Sequence, residues 1–450
     1  MVFSSIPFLY YFLPLVSASY FLVPKQYKNI VLFFSGILFY AWGEPKNVGI
    51  MMVSVFCSYI AGIQIAKQKE KRKKKMICIL SVAVSLSFLI YYKYMGVFLP
   101  GLVLPIGISF YTFQIISYTI DVYRGEKAQK SFIDLSAYIT MFPQLVAGPI
   151  VRYRDIKEEL EDRHHSFEMA ADGIRKFTIG LAKKVLLANQ LGEFCTLFQN
   201  SDEKSVVFYW AYAAAYSLQI YFDFSGYSDM AIGLGKIFGF HFLENFNYPF
   251  LSRSITEFWR RWHISLGNWF RDYVYIPMGG NRVKKSRWFF NLFVVWFLTG
   301  VWHGASLNFV VWGLYFAILL IMEKIYFKKY LDQKKVLSRI YTLFFVMISF
   351  VIFNADGMAG AVQDIGCLFG IGDLPFFTKE AGYYIQSYAM IFLSGIVCST
   401  PLIRNLWGGF KEKYGKTMAF VEIIVVVLAM VIITAFLVDG TYNPFLYFRF

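Results

Sequence analysis

The chain has 450 residues, of which 57% are hydrophobic, 20% aromatic and only 16% charged, and its mean hydropathy is +0.50. Soluble domains carry about 25% charged and about 45–50% apolar residues, so this composition excludes intrinsic disorder and a single water-exposed core. The formal charge, 44 basic against 29 acidic side chains for +15, fits cytoplasmic loops facing anionic lipid better than a nucleic-acid surface.

Apolar stretches fall near 6–23, 29–43, 48–66, 76–93, 101–120, 206–222, 288–303, 306–327, 337–353, 383–400 and 418–438. A span needs about 20 apolar residues, so they predict an all-α, polytopic membrane protein with about 11 transmembrane helices. The first stretch has no basic segment before it, because Lys25 and Lys28 come after it. It reads as a transmembrane helix and not as a cleavable signal. The run Lys67-Gln-Lys-Glu-Lys-Arg-Lys-Lys-Lys75 lies between two apolar stretches. The positive-inside rule places it in the cytoplasm, which puts the N-terminus outside in a multi-pass plasma-membrane protein. Cys57, Cys78, Cys195, Cys367 and Cys398 contain no CxxC pair and read as free, mostly buried thiols.

We read residues 1–450 as one membrane-embedded domain. N-terminal spans occupy 1–123, a re-entrant and amphipathic middle 124–310, and C-terminal spans 311–450. In the middle, Phe142-Pro-Gln-Leu-Val-Ala-Gly-Pro-Ile-Val-Arg152 breaks helix with a glycine and two prolines. Such backbone is tolerated at membrane depth only where protein or a wet cavity covers it. Over 167–191, Phe177, Leu181 and Val185 recur at steps of four, with Arg175, Lys176, Lys183 and Lys184 on other faces. That pattern predicts a helix lying in the interface or entering partway.

Tyr221-Phe-Asp-Phe-Ser-Gly-Tyr-Ser-Asp229 follows a fully apolar stretch. A carboxylate at Asp223 must pair with a cation or line a wet cavity. Ser254 and Glu257 have capping-box spacing, predicting a helix on which Trp259, His263, Leu266 and Phe270 share a face. Arg260, Arg261 and Arg271 on that segment can reach headgroups or an anionic ligand. The turn Pro277-Met-Gly-Gly-Asn-Arg282 and the basic Lys284, Lys285 and Arg287 suggest a second cytoplasmic surface. Gly300-Val-Trp-His-Gly-Ala-Ser306 joins two apolar stretches. An intramembrane histidine there is a functional candidate, and neutral imidazole suits general-base work. A packed core histidine is the competing reading. His164 and His165 read as surface residues, and His241 as structural. There is no P-loop, dinucleotide fingerprint, nucleophile elbow or metal-ligand cluster, and no internal repeat of the secondary-transporter kind.

Taken together, Phe142–Arg152, Tyr221–Asp229, Glu244-Asn-Phe-Asn-Tyr-Pro-Phe250, Phe258–Arg282, Gly300–Ser306 and the tail Tyr442-Asn-Pro-Phe-Leu-Tyr-Phe-Arg-Phe450 resemble the membrane-bound O-acyltransferase (MBOAT) family. The likeness is greatest to its bacterial alginate O-acetylation branch, with the teichoic acid D-alanyl transfer proteins as a related branch. The resemblance implies a ring of spanning helices around a central tunnel. It implies His303 as the principal catalytic histidine and His263 as the second position. Trp262, Trp302, Asn308, Asp223 and Arg271 are the expected substrate-binding residues. The implied reaction is acyl transfer, with acetyl favoured, from a cytoplasmic thioester to a hydroxyl on the outer side. The donor is acetyl-CoA or an acyl-carrier-protein thioester, attracted by the basic loops at Lys183–Lys184 and Arg282–Arg287, and no cofactor is bound. An extracytoplasmic serine-hydrolase-like protein would carry the group onward. Other contacts are membrane lipid and, where the donor is protein-bound, the carrier; no nucleic acid is involved. The alternatives are D-alanyl transfer to teichoic acids and, from another class, a proton-coupled transporter or a non-catalytic scaffold.

Overall fold

The computed structural model of the chain describes residues 1–97, 99, 101–440 and 445–446, and every regular element among them is a helix. Of the tail segment 442–450, only Phe445 and Leu446 lie within the described residues.

Among the described residues, five helices are long and apolar enough to cross a bilayer: Pro45–Lys67, Lys71–Tyr94, Leu307–Phe327, Lys335–Asn354 and Leu402–Asp439. The pair Lys379–Ser387 and Ala389–Cys398, bent by 53°, makes a sixth if it is one span. Eleven is therefore not reached by length and hydropathy. The other expected stretches are helical but short or polar inside. Lys28–Gly43 has 16 residues and Ile108–Arg124 has 17. Val206–Ile237 is long, but carries Gln219, Asp223, Ser225 and Ser228 as buried polar side chains. The basic run 67–75 joins two of the candidate spans and is mostly exposed.

The chain forms two compact units: Met1–Ile179 with Tyr227–Glu244, and Gly180–Gly226 with Asn245–Phe450. In the first, glycine lets elements touch: a Cβ on Gly36 would lie 2.0 Å from the Thr140 carbonyl oxygen. Phe142–Leu145 forms one short turn, and residues 146–152 run on without helix, all buried. The Tyr138 hydroxyl donates to the Val151 carbonyl at 2.9 Å, and Arg152 pairs with Asp155 at 2.7 Å. Protein thus covers the irregular backbone, as burial of unsatisfied peptide groups requires.

The second unit holds a largely aromatic core that includes Phe194, Phe208, Phe222, Phe258, Trp262, Trp312, Phe316, Phe350 and Phe353. Around it stand helices Lys285–His303, Leu307–Met322, Lys335–Asn354 and Gly357–Leu368. Three π-helical turns, Lys183–Ala188, Arg271–Tyr275 and Glu323–Phe327, interrupt this unit's helices. Such turns often re-aim side chains at functional positions.

Candidate active site

His303 ends helix Lys285–His303, and helix Leu307–Met322 folds back against it. The crossing needs glycine. A Cβ on Gly300 would lie 2.4 Å from the Phe309 carbonyl oxygen, and one on Gly313 2.3 Å from that of Trp296. A Cβ on Gly304 would meet the Phe309 ring at 2.4 Å. These glycines therefore bring two helix backbones into contact. The His303 ring is buried in a box of aromatic edges, with centroids 4.9 Å from Trp302, 5.0 Å from Trp312 and 5.1 Å from Phe353. Asn308 sits at the start of the returning helix. Its amide nitrogen donates to the carbonyls of Ile352 at 3.2 Å and Ala355 at 3.1 Å. These are carbonyls at the C-terminal end of helix Lys335–Asn354, which would otherwise lack donors.

His263 stands on a break. The single helix expected from Ser254 onward is two, Ile255–Arg261 and Ile264–Phe270, with His263 between them in the left-handed region (φ 44°, ψ 53°). The predicted cap is present: Ser254 accepts from the Glu257 amide at 3.0 Å. Glu323 adds a second cap that the sequence did not reveal. Its buried carboxylate accepts from the backbone amides of Ile255 and Thr256 and from the Thr256 hydroxyl. The break is held by the extended segment beside it. The Ile264 amide donates to the Asn245 carbonyl at 3.0 Å, and the Asn247 amide to the Arg261 carbonyl at 2.9 Å. A non-glycine residue keeps such a backbone only where its surroundings over-determine it. Burial holds the His263 imidazole well below the ordinary histidine range, so it is neutral at pH 7.

Trp259, His263, Leu266 and Phe270 still face the same way despite the break. All four line a cavity of ≈ 170 Å³, with Arg271 and Tyr275 beside them and Leu292, Val295, Trp296 and Thr299 opposite. Those last four recur at helical spacing, and His303 continues the same stripe one turn beyond Thr299. His303 does not itself line the cavity. Trp302 lies against both histidines, 6.3 Å from the His263 ring and 4.9 Å from that of His303.

The remaining expected site residues separate into different roles. Asp223 is buried and paired with Lys184 at 2.6 Å, and it also accepts from the Leu446 amide at 2.8 Å. Lys184 is thus buried on a π-helical turn and not on a donor-attracting loop. Its apolar neighbours force that, because Leu181 and Val185 turn into the core beside it. Asp223 stands one residue from Phe224, whose ring meets His263 edge-on at 4.6 Å. Trp262 is core, packed against Phe246, Phe258 and Phe350. Arg271 is exposed at the cavity and pairs with Asp272 at 2.8 Å. The turn 277–282 is pinned by buried Asn291, whose amide donates to the carbonyls of Met278 and Gly280. His164 and His165 are exposed, as expected, and exposed His241 pairs with Glu159 at 2.6 Å. Asn245 was missed by sequence reasoning. It lies in the segment Glu244–Phe250, but nothing in that segment singles it out until the fold sets it beside His263.

One of two buried histidines lines an apolar cavity, and the other lies on the helix stripe beyond it. The membrane-bound O-acyltransferase family model matches residues 37–360. The chain belongs to this family. The probable alginate O-acetylase AlgI of Pseudomonas putida is 34% identical over 491 residues, covering all of both chains. The peptidoglycan O-acetyltransferase of Helicobacter pylori is 30% identical over 439 residues, 86% of this chain and 83% of that one. The teichoic acid D-alanyltransferase of Bacillus subtilis is 32% identical over 271 residues, 55% of this chain and 68% of that one. This MBOAT protein is an acyltransferase of the membrane, and its helices make it multi-pass.

Proposed function

We propose that the protein moves an acetyl group from a cytoplasmic thioester to a hydroxyl on the outer side of the plasma membrane. The acceptor is a cell-envelope polysaccharide, or an extracytoplasmic serine-hydrolase-like protein that passes the group on. The N-terminus lies outside. The observation that carries this reading is the stripe Leu292, Val295, Trp296, Thr299 and His303, which runs from an apolar cavity to a buried histidine. The likeness over most of the chain to proteins named as O-acetylases supports acetyl over other groups.

His303 is the general base. Its imidazole takes the acceptor hydroxyl proton as the oxygen attacks the thioester carbonyl. The C–O bond forms, the C–S bond breaks, and the imidazolium returns the proton to the leaving thiolate. The aromatic box around His303 excludes water, which strengthens each electrostatic contact during transfer. His263, on the cavity wall, holds the donor. Arg271 and the basic run Arg282–Arg287 draw in a donor that is anionic, either acetyl-CoA or a carrier-protein thioester. Trp302, in contact with both rings, sets their spacing. Asp223 acts by holding Lys184 and the Leu446 backbone, and Asn308 by anchoring the helix that follows His303. D-alanyl transfer is the second reading, favoured by the Bacillus subtilis relative.

The test uses membranes carrying the wild type, His303→Ala or His263→Ala, labelled acetyl-CoA, and the envelope polymer or the extracytoplasmic protein as acceptor. Loss of transfer in His303→Ala at normal protein level supports the base. Transfer persisting in His303→Ala sinks it. A wild type that uses only a D-alanyl carrier thioester favours the second reading.

A further inference from the structure

We propose that Asn245 is a positioning residue that holds His263 with its proton on Nδ1, so that Nε2 meets the substrate as a hydrogen-bond acceptor. This rests on His263 lining the donor site, as proposed above.

Asn245 is fully buried. The orientation of its amide is decided by a backbone group that can only donate: the Ser265 N–H reaches Asn245 Oδ1 at 3.1 Å. The Ser265 hydroxyl donates to the same oxygen at 2.9 Å. Oδ1 is therefore the acceptor end, and it lies 3.3 Å from His263 Nδ1. A second neighbour of Nδ1 is the Ser265 hydroxyl oxygen at 3.5 Å, and that hydroxyl donates to Asn245. Nδ1 thus faces two acceptors and carries the hydrogen.

Burial leaves the ring a single proton, as described above. With that proton on Nδ1, Nε2 at the other edge has a lone pair and no hydrogen. His263 then cannot donate to the oxygen of the tetrahedral intermediate. It accepts instead from an N–H or O–H of the substrate, such as an amide of the donor's pantetheine arm or the acceptor hydroxyl. The left-handed backbone at His263 belongs to the same device. The Ile264 amide bonds the Asn245 carbonyl, so one residue fixes both the chain and the ring.

The test has two arms. In the first, full-length protein with ¹⁵N-histidine is reconstituted in lipid nanodiscs, and the His263 signals are assigned by their loss in His263→Gln. A protonated Nδ1 and a bare Nε2 are expected. A protonated Nε2 with bare Nδ1 overturns the proposal, whatever the protein's activity. In the second, Asn245→Leu removes the acceptor and Asn245→Asp keeps it. Asn245→Leu is expected to lose about tenfold in kcat/KM and to show mixed tautomers, with Asn245→Asp restoring the Nδ1-protonated ring and most of the rate. Equal loss in both variants with an unchanged tautomer overturns the proposal. Absence of acetyl transfer in the wild type would count against the proposed function and leave the tautomer result standing by itself.

Discussion

Gly300→Ala tests how tightly the histidine helix must sit. The added Cβ would lie 2.4 Å from the Phe309 carbonyl oxygen, where ordinary contact begins at 3.4 Å. The clash is with backbone, so a side-chain rotation cannot relieve it, and helices Lys285–His303 and Leu307–Met322 must part by about 1 Å. Overpacking of this size costs about 1–3 kcal/mol, which a folded membrane protein can survive. The greater effect is on placement. His303, the proposed base, lies three residues beyond Gly300 on the same helix, and a ~1 Å displacement of a reacting group costs about 100-fold in rate. Acetyl transfer in membranes, normalised to protein level and to a monodisperse gel-filtration peak, should fall about 100-fold. Gly49→Ala is the control, since nothing lies within 4 Å of its Cβ. That change should leave the rate intact and raise helix stability slightly. A Gly300→Ala protein with wild-type rate and stability would refute the argument that this contact places His303.

Three further outcomes follow from buried polar groups. Removing either partner of the Lys184–Asp223 pair should cost about 3–5 kcal/mol, and replacing both together, as Lys184→Met with Asp223→Leu, should recover most of it. Thermal denaturation in nanodiscs measures this, and a double variant as unstable as the singles would be the contrary result. Glu323→Ala should destabilise by about 3 kcal/mol, because it strips a charged acceptor from three donors at the start of helix Ile255–Arg261, with Glu323→Gln losing less. The pH dependence of stability should carry a mark of His263. Its folded value lies below the ordinary 6.5, so the unfolded chain binds the extra proton. Stability is therefore full above about pH 6.5 and falls below it by up to ~1.4 kcal/mol per unit. His263→Gln should flatten that fall between pH 7.5 and 5, and an unchanged slope would mean the ring is not held neutral.

The class of molecule is legible in the order of amino acids. The chain's hydropathy demands lipid, its periodicity demands helices, and the basic run 67–75 falls where one apolar stretch gives way to the next. Motifs of local structure were equally legible: the Ser254 cap, the apolar face of Phe177, Leu181 and Val185, and the helix break at 142–152. Each depends on residues a few positions apart, which one dimension records. Counting spans was less secure, because apolar stretches such as 29–43 and 101–120 form helices of only 16 and 17 residues. The partners of buried polar groups came from the fold. Lys184 looks like a donor-attracting cation until Asp223 is set beside it, 39 residues away in the chain. Asn245 bonds the His263 ring from 18 residues away and also accepts the Ile264 amide, and Glu323 caps helix Ile255–Arg261 from 68 residues away. A buried polar group must find its complement wherever the fold brings one, and sequence spacing holds no record of that meeting.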